Sequence, residues 1–260
     1  MKFIQTEVNE PIQTFRKYLY ESLTSPIDAM WELLYITNSQ HYLIEHNNEQ
    51  VGYCCIDDSN SLLQLFLSEN HKSKTENTIQ YLVQQKLISS ARLSSNEPIG
   101  FNISLLHSKS ICPHTFCFEY FNDEVEIEKE LIIDLVSSEE IWEVKEFMSA
   151  QIGFNDTFGY TENLVNRKEL FLLRVDNKII ATSEVRNSDT QKDISDIGII
   201  VHKDFRGKGL ATKVLKMQAN RVLAGGRKPI CSTTSDNHAA QKAIQNAGFY
   251  TSNIIFDIKF

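Results

Sequence analysis

The stretch Ile197-Gly198-Ile199-Ile200-Val201-His202-Lys203-Asp204-Phe205-Arg206-Gly207-Lys208-Gly209-Leu210-Ala211-Thr212 reads in three pieces. The β-branched run through Val201 predicts a strand. His202–Phe205 predicts a short polar turn, and Arg206–Ala211 a glycine-bearing loop opening into a helix over Val214–Leu223. A helix N-terminus presents unpaired N–H groups and a partial positive charge, so glycines there beside an arginine predict a phosphate or pyrophosphate site. Spacing separates the known kinds. The Gly-x4-Gly-Lys-Ser/Thr string of a P-loop is absent, Thr212 stands where a dinucleotide fingerprint needs a third small residue, and the region around Gly225-Gly226-Arg227-Lys228 is basic where that fingerprint needs an acid.

The remaining pattern, Arg-x-x-Gly-x-Ala over Arg206–Ala211, resembles the acetyl-coenzyme A loop of the GNAT N-acetyltransferase superfamily. Downstream, the stretch Pro229–Thr233, the cap Ser235-Asp236-Asn237, the helical series Ala239, Ala240, Ala243, Ile244, Ala247 and the pair Gly248-Phe249 are similar to the second block of those enzymes. The resemblance covers roughly residues 125–260. It implies acyl transfer from acetyl-CoA, as co-substrate, to an amine. It also implies that Ile199, Ile200, Val201, Arg206, Gly207, Lys208, Gly209, Leu210, Ala211, Thr212 and Asn237 hold the coenzyme.

Around the loop, Glu130–Val136 predicts an opening strand and Glu139–Gln151 a helix with Ile141, Val144, Phe147 and Met148 on one face. A looser segment carries Phe154, Phe158 and Tyr160, a candidate aromatic lid for the acceptor. Leu170–Val175 and Ile179–Val185 form a hairpin about Asp176-Asn177-Lys178, and Asp193–Val201 is the strand feeding the loop. The first half repeats this order: a hairpin of His41–Glu45 and Val51–Ile56 about Asn47–Gln50, a strand over Leu62–Leu67, and a helix over Thr75–Leu87. Its connecting segment Ser68–Lys74 contains no glycine, and side chains there obstruct close approach of a pyrophosphate to the backbone. The expected fold class is α/β (α+β), with tandem GNAT-like folds, each a mixed, mostly antiparallel sheet flanked by helices. Residues 1–122 would be a degenerate GNAT-like domain without coenzyme, or else an unrelated α/β extension, joined through the acidic Asn122–Glu130 to an acetyltransferase domain over 123–260.

Direct attack by an amine raises two proton problems. A primary amine of pKa about 10.4 is only ~0.1% deprotonated near neutrality, a barrier of roughly 4 kcal/mol that a positioned base removes. Candidate bases are Asp193 and Asp196 on the strand entering the loop and Glu184 within the otherwise apolar neighbouring strand. Asp193 has the strand parity of Ile197, Ile199 and Val201. The resemblance places the family's carboxylate at Ser195, beside Asp196. Many members protonate the departing thiolate with a tyrosine four residues before the Gly of Gly-Phe, where this chain has Ile244. Ser232, Thr233, Ser235 and His238 are the nearby substitutes. Asn237 serves either as a helix cap or as a contact to the coenzyme arm.

His107, Cys112, His114 and Cys117 carry zinc-ligand chemistry, but no C-x2-C spacing accompanies them. They read instead as part of a hairpin with one aromatic face that includes Ile103–His107, so no metal is expected. The 260 residues, 42% hydrophobic and 23% charged, allow one or two ordinary globular domains. A net charge of −8 argues against a nucleic-acid surface and favours a cationic partner, here a small-molecule amine or, as second choice, a protein amino group. Five cysteines fit free thiols in a reducing compartment. No run approaches the ~18 apolar residues of a membrane span, and Met1–Gln5 lacks a signal-peptide core, which together point to a cytoplasmic enzyme without membrane partners. The alternative is a coenzyme A-binding or regulatory module without turnover.

Overall fold

The computed structural model describes residues 1–121, 131–156 and 159–260. The linker Asn122–Glu130 and Phe158 therefore lie outside the described residues. The chain divides into two compact units, one made of Met1–Cys117 with Ser252–Phe260, the other of Phe118–Thr251.

The first unit runs β1 (Lys2–Thr6), α1 (Glu10–Ser22), α2 (Ala29–Trp31) extended by a π-helical turn over Glu32–Ile36, β2 (Gln40–His46), β3 (Glu49–Ile56), β4 (Ser61–Leu67), α3 (Thr75–Gln84), β5 (Ser90–Ser94), α4 (Pro98–Leu106) and β6 (Ser110–Tyr120), whose last residues enter the second unit. Strands β1 to β4 are antiparallel neighbours, and β5 joins β4 in parallel. Successive residues of β3 point to opposite faces, and both Cys54 and Cys55 are fully buried, so helices must cover the sheet on both sides. Ile44, Cys54 and Leu62 pack under Ile79 and Leu82 of α3. On the other face, Leu43 and Tyr53 pack under Ile12 and Leu19 of α1.

The second unit runs β7 (Asp134–Leu135), α5 (Ile141–Ile152), α6 (Tyr160–Asn166), β8 (Leu170–Val175), β9 (Lys178–Asn187), β10 (Ile194–Val201), α7 (Leu210–Ala224), β11 (Lys228–Thr234), α8 (His238–Asn246) and the start of β12 (Phe249–Lys259), whose residues from Ser252 on belong to the first unit. Strands β7 to β10 are antiparallel, and β11 is parallel to β10. One face carries Leu170, Leu172 and Ile179 against Val144, Met148 and Leu164. The other carries Leu173 and Ala181 against Val214 of α7. The hairpins β2–β3 and β8–β9 turn on Asn47-Asn48 and Asp176-Asn177, all four at positive φ, where Asn and Asp are the L-residues best tolerated.

Several boundaries differ from the sequence reading. Residues Ile103–His107 are not a hairpin strand. They belong to α4 and its C-cap, because Pro98 occupies the first helical turn and the Glu97 carboxylate caps it by accepting from the Gly100 N–H at 3.0 Å. His107 is bonded to Glu76 at 3.0 Å, His114 to Thr115 at 2.7 Å, and Cys117 is buried while Cys112 is exposed. Among the described residues no group of three His, Cys, Asp or Glu could hold a metal ion. Helix α3 stops at Gln84, two residues before Lys86 at positive φ, and α7 starts at Leu210, directly on the loop. Of the expected strand Glu130–Val136, residues 131–136 are described, and among them only Asp134–Leu135 form a strand, β7.

The last residues of the chain complete the first unit. Ile255–Lys259 of β12 pair antiparallel with Ser90–Ser94 of β5, and Ile258 is fully buried in the cluster under α3. Replacing Ile258 with Ala in the full chain is expected to remove about 3 kcal/mol of stability in urea denaturation. A loss below about 1 kcal/mol would show that this strand is not part of the core.

Candidate functional site

Strand β10 is paired with β11 only over Ile194–Asp196 against Lys228–Ile230, whereas its pairing with β9 continues to Val201. Beyond Asp196 the two parallel strands part. A cleft of about 630 Å³ occupies the opening, lined by Ile197–Val201 on one side and Cys231–Thr233 on the other, with the loop after β10 and the helix α8 closing around it. That size is typical of small-molecule sites.

The loop owes its shape to two glycines. Gly207 and Gly209 sit at φ +72° and +79°, a region that costs other residues about 1–2 kcal/mol. A Cβ on either would point into open space, so what the position requires is the backbone conformation and the bare surface facing the cleft. Gly209 also caps α7, and the Lys213 N–H donates to its carbonyl at 3.1 Å as the helix begins. The N–H groups of Leu210, Ala211 and Thr212 precede that bond and project from the positive end of the helix. Arg206 Nε donates to Val201 O at 2.9 Å and Nη2 to Gln151 O at 3.0 Å, which staples the loop to the ends of β10 and α5 while leaving the charge beside the glycines. Lys208 Nζ donates to Asp204 O. Among the described residues lining the cleft are two cations, Arg206 and Lys242, and no acid, although the chain as a whole carries −8.

On the opposite wall, Asn237 caps α8 by accepting from Ala240 N–H at 3.2 Å, and the residue also lines the cleft. Ile244 presents a buried apolar side chain there. Ser232 and Thr233 are the hydroxyl residues on the β11 side.

The three candidate bases separate clearly. Asp193 is exposed before β10 begins, about 16 Å along an extended chain from Gly198, at the closed end of the parted strands. Asp196 has no exposed surface, and its Oδ2 lies 3.1 Å from Arg186 Nη2. Ser195, its neighbour, is also fully buried and donates to Asn187 Oδ1 at 2.7 Å. Glu184 stands directly opposite Gly198 of the cleft wall, and both residues lie on the face shared by Asp196 and Arg186. Its Oε2 accepts from Tyr160 OH at 2.6 Å and from Arg186 Nη1, and its Oε1 makes no hydrogen bond among the described residues. Gly198 permits this close packing, since a Cβ there would stand 2.9 Å from Arg186 Nη1 and 3.5 Å from Glu184 Oε2. Burial, reinforced by the Glu184 charge, pushes the Tyr160 phenol well above its ordinary range and keeps it a donor. Arg186 and the hydroxyl of Tyr160 were missed by sequence reasoning. The alternation Glu184-x-Arg186, set against Asp196 one strand over, was the available signal.

The first unit has a smaller counterpart. β4 and β5 pair only at Ser61–Leu62 with Ser90–Ala91, and the opening beyond holds about 130 Å³. Leu19 and Ser22 of α1 intrude, and a 3₁₀ turn over Glu69–Lys74 replaces the glycine loop. The N-terminus of α4 is already covered by the Glu97 carboxyl, which burial pushes up to about 7.

Two family models match the chain, one described as an acetyltransferase (GNAT) domain over residues 8–121 and one as the acetyltransferase (GNAT) family over residues 132–249. An acetyltransferase of the GNAT family from Colwellia psychrerythraea superposes with a TM-score of 0.95 at 28% identity, covering 100% of both chains. A GCN5-related N-acetyltransferase from Sphaerobacter thermophilus has a TM-score of 0.67 at 14% identity, over 99% of this chain and 95% of that one. A tandem GNAT protein from the clavulanic acid biosynthesis pathway has a TM-score of 0.61 at 12% identity, over 99% and 97%. The last two likenesses concern the fold alone. No functionally curated protein matches the chain. Among the described residues, no helix is long and apolar enough to cross a membrane.

The loop conformation is directly testable. Gly209→Ala is expected to cost about 1–2 kcal/mol through its positive φ alone, because the space for the methyl is free. Equal denaturation midpoints for the variant and the parent would show that the loop does not hold this conformation.

Proposed function

The chain belongs to the GNAT acetyltransferases in both of its halves, and from that premise we propose that it is an N-acetyltransferase whose second unit alone binds acetyl-CoA. The carrying observation is the parted-strand cleft, which joins a glycine loop and a helix N-terminus to a lining without acids in an acidic protein. A phosphorylated coenzyme fits each part. The N–H groups at Gly207–Ala211 suit a pyrophosphate, and the open edge of β10 at Ile199–Val201 offers backbone groups to an extended amide arm. When bound, acetyl-CoA supplies a thioester as acetyl donor.

Glu184 is the proposed proton acceptor for the incoming ammonium group. Its Oε2 is held by Tyr160 and Arg186, which fixes the carboxylate and leaves Oε1 for the transfer. Asp196 neutralises and orients Arg186 from a fully buried position and acts on the proton only through it. Ile244 cannot donate a proton, so water protonates the departing sulfur, which a thiol pKa near 8.5 makes tolerable. The acceptor is a small cationic amine, favoured by the field of an acidic protein.

The same Ile244 favours a second reading, a coenzyme-binding module without turnover. Calorimetry with acetyl-CoA, followed by thiol release against a panel of amines, distinguishes the two. One acetyl-CoA per chain is expected, and binding should be lost in Gly209→Glu. A stoichiometry of two would overturn the assignment to the second unit, and binding without thiol release from any amine would favour the module.

Replacing Glu184 with Gln is expected to lower turnover about a hundredfold with coenzyme affinity unchanged. Asp193→Asn should leave turnover as it was. Normal turnover in Glu184→Gln would place the base elsewhere.

A further inference from the structure

The two cations of the cleft are not equivalent. The Arg206 guanidinium is committed to two backbone carbonyls of its own surroundings, Val201 O and Gln151 O. Lys242, on the exposed side of α8, forms no ion pair or side-chain hydrogen bond among the described residues, yet it lines the same cleft. One hydrogen bond relates it to the loop: Thr212 Oγ1, in the first turn of α7, donates to the carbonyl of Ala243 at 3.2 Å. Lys242 therefore stands one residue from the point where α8 touches the helix whose N-terminus faces the cleft. Ala239, one turn earlier, adds little bulk, and Asn246, one turn later, continues the same stripe as a polar residue.

Coenzyme A carries two separate phosphate groups on one ribose, a 5′-pyrophosphate and a 3′-monophosphate. The loop and the end of α7 provide for one of them. Resting on the acetyl-CoA reading, we propose that Lys242 is a specificity-determining residue that pairs with the 3′-phosphate of the coenzyme, so that the chain distinguishes coenzyme A from its 3′-dephospho form. An ammonium on a flexible stem suits a terminal phosphate, which needs charge more than a fixed fork geometry. The surroundings contain no carboxylate from the cleft lining to compete for it.

The test is calorimetric titration of the full chain with coenzyme A and with 3′-dephospho-coenzyme A. The parent protein is expected to bind coenzyme A about tenfold more tightly than the dephospho form. Lys242→Ala should lose about that factor for coenzyme A and none for dephospho-coenzyme A, bringing the ratio to about one, and Lys242→Arg should keep most of the discrimination. Raising the salt concentration should narrow the ratio in the parent and leave it unchanged in Lys242→Ala. An unchanged ratio in Lys242→Ala, with both ligands still binding, would overturn the role of Lys242 and spare the coenzyme reading. Binding of neither ligand to the parent would overturn both.

Discussion

The second unit is organised by a sheet that stops being a sheet halfway along. β10 and β11 hold three residue pairs and then part, while β10 remains fully paired to β9. A parted pair leaves backbone donors and acceptors facing a gap, an arrangement that persists only when other elements hold the edges apart. Arg206 ties the loop to the ends of β10 and α5, and Thr212 ties the first turn of α7 to α8. The gap is then a permanent feature with one apolar wall, one mixed wall and a positive rim.

Both units open their sheets at the same step in chain order, yet the openings have diverged. In the second unit two glycines at positive φ keep the loop thin, and the cleft is about 630 Å³. In the first unit a glycine-free 3₁₀ turn, the end of α1 and the Glu97 carboxyl reduce it to about 130 Å³. Glu97 shows how the change alters the chemistry as well as the space. A helix N-terminus that caps itself with its own buried carboxyl has already given its N–H groups an acceptor and filled the place an anion would take. Asn237 caps α8 without adding charge, and its residue still lines the cleft.

Much of this was legible in the sequence where local chemistry decides conformation. The loop, the Asn237 cap and both hairpin turns follow from glycine, asparagine and aspartate at positions that demand them, and the strands from alternation of buried residues. The reading failed where an apolar run had no period of its own. Ile103–Leu106 could be strand or helix, and Glu97-Pro98 upstream, a capping residue before a first-turn proline, held the answer. The carboxylates illustrate a different limit. Strand parity alone grouped Asp193 with the loop-facing residues, but the cross-strand register decides which acid stands beside Gly198, and that depends on two strands at once. Glu184 was recognisable as an odd residue in an apolar strand, whereas its bond to Tyr160 from α6 required the tertiary fold.

The return of Ser252–Phe260 to the first unit bears on how the protein is made. Synthesis runs from the N-terminal side, so β1 to β5 emerge early, and the backbone edge of β5 stays unpaired until Ile255–Lys259 follow. The second unit has every one of its residues by Thr251, but the first must wait for Ser252–Phe260. The domain translated first is thus the one finished last, and during that interval the unpaired edge of β5 is open to pairing with a wrong strand.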